Sequence, residues 1–95
     1  IFDCLVGSEM CIRDSVYNEL GFAYRKSDDF DNAAKYYKKA LELDPEHLGA
    51  IEYQGEMYVD LGQKDNALSN LELLKTLVGE NNSYYKELNN YISNN

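Results

Sequence analysis

Apolar and small residues recur along the chain at helical spacing. Tyr17, Leu20, Gly21 and Tyr24 stand at i, i+3, i+4 and i+7, one stripe of an amphipathic helix. Ile51, Gln54, Gly55 and Tyr58 repeat that spacing, with Gln54 as the one weak member. Ala33, Tyr37 and Ala40 make a matching stripe on a second helix, and Ala67, Leu71 and Leu74 make it again.

Boundary signals agree with these stripes. Ser27 to Asp31 and Gly62 to Asp65 read as tight turns, Gly62 suiting a left-handed helix end. Asp44 is predicted as an N-cap and Pro45 as the first helical residue, where its missing N–H is harmless. A break over Gly79 to Asn82 precedes a last amphipathic segment, Ser83 to Ser93. The pattern predicts five helices, near residues 15–27, 30–43, 46–61, 64–78 and 83–93.

The stripes are internally related. Gly21 and Gly55, Tyr24 and Tyr58, Ala33 and Ala67, Tyr37 and Leu71, and Ala40 and Leu74 are each separated by 34 residues. Gly inside a helix costs about 1 kcal/mol against Ala, so two glycines at this period imply a packing reason. The expectation is that each faces an alanine of its partner helix and lets two antiparallel helices approach closely.

With these residues in place, the chain resembles the tetratricopeptide repeat family. The first repeat supplies Tyr17, Leu20, Gly21, Tyr24, Ala33, Tyr37, Ala40 and Pro45, a complete match to the family's pattern of large, Leu-Gly, Tyr, Ala, aromatic, Ala and Pro positions. The second supplies Ile51, Gly55, Tyr58, Ala67, Leu71 and Leu74, departing at Gln54, where Leu is usual, and at Gly79, where Pro is usual. The implied fold is all-α, an antiparallel helix-pair solenoid with repeats at 16–47 and 48–81 and a C-terminal capping helix and tail at 82–95. That helix resembles the family's solvating helix, with Tyr85, Leu88 and Ile92 buried and Lys86, Glu87 and Asn90 wet. Within the family, the likeness is to small bacterial proteins of undefined function, some of which carry a secretion signal.

The opening residues do not continue the repeat backwards, and they lack the features of a signal peptide. Cys4 to Ser15, "CLVGSEMCIRDS", resembles the translation of a transposase-based sequencing adapter. Residues 1–15 are accordingly expected to be non-native, which withdraws both cysteines from any disulfide or metal reading. The true reading frame is expected to extend upstream of Val16, with earlier repeats and any export signal there. This leaves the compartment, cytoplasmic or periplasmic, undetermined.

Composition narrows the partners. The formal charge of −8, or −6 without residues 1–15, opposes nucleic acid and anionic membrane, both of which need a basic face. No apolar run approaches the length needed to span a bilayer. Chemistry is sparse: His47 is a lone histidine, read as a surface residue of a first helical turn. Glu52 and Glu56 stand one turn apart and are able to hold a cation, but carboxylates on a solvated helix face explain them more simply. No phosphate loop, zinc spacing or EF-hand loop occurs, so no cofactor or metal is expected. Tyr17, Tyr24, Tyr37 and Tyr58 are expected in the core with hydroxyls at its edge, while Tyr36, Tyr53, Tyr84 and Tyr91 fall off the pattern.

The resemblance implies a concave face lined by the first helix of each pair. Its positions here are Asn18, Phe22, Arg25 and Lys26, then Gly49, Glu52, Glu56, Val59 and Asp60, then Lys86 and Asn90. The implied function is a non-catalytic interaction module that binds a protein or peptide partner through this groove. An alternative is a self-association segment of a longer array, acting through the uncapped N-terminal side. Repeats that clamp the acidic C-terminus of heat-shock chaperones are a poor match, because Phe22, Gly49 and Tyr53 fall where polar or basic residues are needed.

Overall fold

A computed structural model describes residues 8–94, with side chains from Ser15 onward. Residues 1–7, including Cys4 of the adapter-like stretch, lie outside the described residues, as do the side chains of residues 8–14. Five helices follow one another: α1 (Ser8–Lys26), α2 (Phe30–Leu43), α3 (Leu48–Asp60), α4 (Lys64–Val78) and α5 (Ser83–Asn94). Among the described residues there is no strand.

Two helix starts differ from expectation. α1 begins at Ser8 rather than near residue 15, because nothing between Gly7 and Gly21 interrupts a helix. α3 begins at Leu48, and its N-cap is His47, whose Nδ1 accepts the Ala50 N–H at 3.0 Å. Asp44 instead closes α2, its N–H donating to the Ala40 carbonyl. The Asp44 carboxylate then accepts the Glu46 N–H at 3.1 Å, so Pro45 sits in a turn and not in the first turn of a helix. A short Asx turn has displaced the expected cap by three residues.

The two turns between paired helices are built alike. Asp28 and Gly62 both hold positive φ, 62° and 77°. Asp29 N–H donates to the Tyr24 carbonyl at 2.8 Å, and Gln63 N–H donates to the Tyr58 carbonyl at 2.7 Å. These bonds close the last helical turn through a left-handed residue. The 34-residue period thus extends from side chains to backbone hydrogen bonds.

Each helix packs on the next, and α3 also touches α1 and α5. Among the described residues α2 and α4 do not touch each other, so α1, α3 and α5 form the inner layer and α2 and α4 the outer one. Two buried clusters hold the layers together. Ala33 and Tyr37 pack with Met57 of α3. Ile51, Val59, Ala67, Leu71 and Leu74 pack with Leu88 and Ile92 of α5. Met57 carries the first helix pair onto the second, and Leu88 carries the second onto the last helix.

Both repeat glycines are buried, and the side chain closest to each is larger than an alanine. A Cβ on Gly21 would lie 2.7 Å from the Tyr37 ring, and one on Gly55 would lie 2.7 Å from a Leu88 methyl. The first therefore admits the aromatic of its own pair, and the second admits a leucine of the following helix. Gln54, the weak member of its stripe, is explained by Asn70, which donates to its Oε1 at 2.9 Å and to the Ile51 carbonyl at 3.0 Å. Among the pattern tyrosines only Tyr37 is fully buried, and its hydroxyl stays inside; Tyr17, Tyr24 and Tyr58 are half-buried.

The two glycines should respond differently to a methyl group. Forcing Cβ into a rigid, enclosed ring costs about 1–3 kcal/mol, against about 1 kcal/mol of helix propensity gained. Leucine methyls yield more readily. Urea unfolding is expected to show Gly21→Ala less stable than the parent and Gly55→Ala closer to it; equal losses would contradict the assigned neighbours.

Candidate functional site

The side chains expected to line the groove lie on the inner helices. α1 contributes Asn18, Phe22, Arg25 and Lys26 at helical spacing, and α3 contributes Glu52, Tyr53, Glu56, Val59 and Asp60. Solvation differs from expectation. Asn18, Arg25, Glu52, Glu56 and Val59 are buried and Phe22 is half-buried, whereas Lys26, Asp60 and Lys86 are exposed. The first and second repeats approach so closely here that the middle of the expected groove is an interface. Gly49 contributes to this: a Cβ there would lie 3.2 Å from the Asn18 amide nitrogen.

Arg25 is at the centre. Its Nη2 lies 3.0 Å from Glu56 Oε1, and its Nε donates to Asp60 Oδ2 at 2.9 Å. The guanidinium also stands 5.8 Å from the Phe22 ring centroid and 5.6 Å from that of Tyr91, whose hydroxyl donates to Asp60 Oδ1. One charge thereby joins α1 to α3, with α5 attached through Asp60. Burial disfavours the charged form, yet the carboxylates of Glu56 and Asp60 outweigh it and hold Arg25 above its ordinary value. Arg25 Nη1 and the Tyr37 hydroxyl are both buried without a hydrogen bond. Burial likewise raises the Tyr37 hydroxyl.

Beside this clasp, Phe22 meets Tyr53 with ring centroids 5.0 Å apart. Tyr53 in turn lies 6.5 Å from Tyr37, so an aromatic chain runs from the core to the groove. An open cleft of about 690 Å³ is lined by Arg25, Lys26, Asp28, Phe30, Val59, Asp60 and Tyr91. A second, of about 380 Å³, is lined by Glu56, Glu87, Asn90, Tyr91 and Asn94, so the two meet at Tyr91.

The carboxylates are unevenly placed. Glu52 is only 2% exposed, which overturns the solvated-face explanation. Carboxylate oxygens of Glu52, Glu56 and Glu87 lie within 4.8 Å of one another. Burial first, then hydrogen bonding to and repulsion from Glu56, push Glu52 up to about 9, so it is neutral at pH 7. Glu87 and Tyr91 were not among the expected groove residues. Their sequence signal is weak, since only the way α5 seats on α3 turns them toward the site.

Residues 15–47 match the tetratricopeptide repeat family. The Hsp70-Hsp90 organizing protein of Triticum aestivum is 33% identical over 54 residues, which cover 57% of this chain and 9% of that protein. The chain therefore matches less than a tenth of the length of that relative. No solved structure matches.

The raised Glu52 carries a testable sign. Its folded-state value exceeds the ordinary 4.5, so the unfolded chain releases this proton first and stability falls as pH rises from about 4.5 toward about 9. Thermal unfolding of Glu52→Gln is expected to match the parent near pH 4.5 and to exceed it increasingly up to pH 9; parallel curves would contradict the assignment. The match over residues 15–47, the organizing-protein relative and the five packed helices together support a tetratricopeptide repeat assignment.

Proposed function

We propose that the chain binds a basic segment of a protein partner across the face formed by α1, α3 and α5. Tetratricopeptide repeats are generally protein-interaction modules and typically non-enzymatic scaffolds, and no catalytic role is assigned to the residues of this face. The observation that carries the reading is the pair of clefts meeting at Tyr91, in the first of which the lining residues Arg25 and Lys26 lie over the Phe22 ring. A half-buried aromatic such as Phe22 is a natural anchor for a partner side chain.

The charge selects the partner. Arg25 is spent on Glu56 and Asp60 within the fold, so it has little positive charge to offer an acidic ligand. Asp28, Asp60 and Glu87 remain exposed around the clefts, against Lys26. A lysine- or arginine-bearing segment fits this surface and gains rate and specificity from it.

A second reading is self-association. Val16 is 48% exposed, beside an apolar recess of about 310 Å³ lined by Ser15, Val16, Glu19 and Leu20. An exposed apolar edge of a repeat is suited to stacking on another repeat.

Selection of random peptides on the full chain, followed by affinity measurement, tests the first reading. Recovered peptides are expected to be rich in Lys and Arg, to weaken with salt, and to lose about tenfold in affinity on Phe22→Ala, the size of one anchor contact. Acidic peptides, or binding indifferent to Phe22→Ala, would refute it. Light scattering over a concentration series separates the second reading: a Val16→Lys variant would remain monomeric where the parent associates, whereas a parent that stays monomeric throughout would refute self-association.

A further inference from the structure

We propose that Glu52, Glu56 and Glu87 form a binding site for a hard divalent cation of the calcium or manganese class. This goes beyond the partner-binding reading and does not depend on it.

The geometry gives the first support. Oxygens bound to one calcium ion at about 2.4 Å are at most about 4.8 Å apart. Carboxylate oxygens from the three glutamates satisfy that limit mutually. They come from two helices, Glu52 and Glu56 from adjacent turns of α3 and Glu87 from α5, so the arrangement depends on tertiary packing.

Glu52 gives the second, independent support. It is 2% exposed, and its Oε2 is buried with no hydrogen-bond partner. An unsatisfied carboxylate oxygen inside a protein is costly, and a cation is the partner that best offsets that cost. Its carboxylate is directed into the cluster, within reach of the other two.

Charge and access agree. Arg25 takes up Glu56 Oε1 and Asp60 Oδ2, leaving Glu56 Oε2 outside that ion pair. Four acidic side chains, Glu52, Glu56, Asp60 and Glu87, stand against the single cation Arg25, so the cluster is acidic overall and a divalent ion offsets it. Three oxygen donors with no nitrogen or sulfur select calcium, manganese or magnesium over zinc and copper. The cleft lined by Glu56, Glu87 and Asn90 opens the cluster to water, which completes the coordination, and Asn90 adds a further oxygen donor to its wall.

Titration of the chelator-stripped full chain with manganese, followed by the free-ion paramagnetic signal, and with calcium by calorimetry tests this. One saturable site is expected, with a stoichiometry of one ion per chain. Glu87→Gln, an exposed substitution that leaves the core intact, is expected to weaken binding at least tenfold, as is Glu52→Gln. Glu42→Gln, on the exposed face of α2, should leave it unchanged. Circular dichroism confirms that each variant is folded, and Glu87→Gln carries the test if Glu52→Gln is not. Absence of saturation by about 10 mM, beyond the weakest ordinary calcium sites, overturns the proposal, as does equal affinity in Glu87→Gln.

Discussion

A single guanidinium is the constraint around which this molecule is arranged. Arg25, on the first helix, reaches into the second repeat and bonds Glu56 and Asp60, while Tyr91 of the last helix holds the other oxygen of Asp60. Three inner helices thus converge on one buried charge. The consequences run outward: α1 must come close to α3, which Gly49 permits, and the middle of the inner face closes to solvent. A buried pair of this kind is weak evidence for net stability, because desolvation consumes much of the Coulomb gain. Its stronger effect is to fix how one repeat is set against the next. Hydrophobic contact alone, through Met57 and Tyr37, tolerates sliding in a way that a forked donor between two carboxylates does not.

The same closure creates the site's chemistry. Two carboxylates bond Arg25, but Glu52, one turn before Glu56, receives no such partner and is still enclosed. It takes up a proton instead. The inner face is therefore divided: a charged clasp joining α1 to α3, a carboxylate cluster toward α5, and the Phe22–Tyr53 aromatic pair beside the clasp. Each part follows from which carboxylate the arginine reaches.

Much of the architecture was legible in the chain, and the reason is periodicity. Helical stripes at a fixed 34-residue offset are set by local spacing, which a sequence displays directly. The ends of α2 and α4 followed from their turn residues, whereas the start of α3 did not, because His47 rather than Asp44 caps it. The roles of Gly21 and Gly55 were legible only as close approach. Which side chain each admits depends on how pairs stack, and that is where Tyr37 and Leu88 differ. The candidate site was least visible. Helical spacing placed Asn18, Phe22, Arg25, Glu52, Glu56, Val59 and Asp60 on one face of their helices, but burial is a property of the partner helix. A residue on an exposed stripe and one in a helix interface have the same spacing. Glu87 and Tyr91 lie on no repeated stripe and enter the site only through the seating of α5.

Arg25 couples the two repeats, and a double-mutant cycle between Arg25→Met and Glu56→Gln measures that coupling directly. Chemical unfolding of the parent, both single variants and the double variant is predicted to give a coupling energy of about 1–3 kcal/mol, in the range of buried partners in one network. Strictly additive losses, with a coupling indistinguishable from zero, would mean that the repeats are aligned by packing alone and would contradict the account.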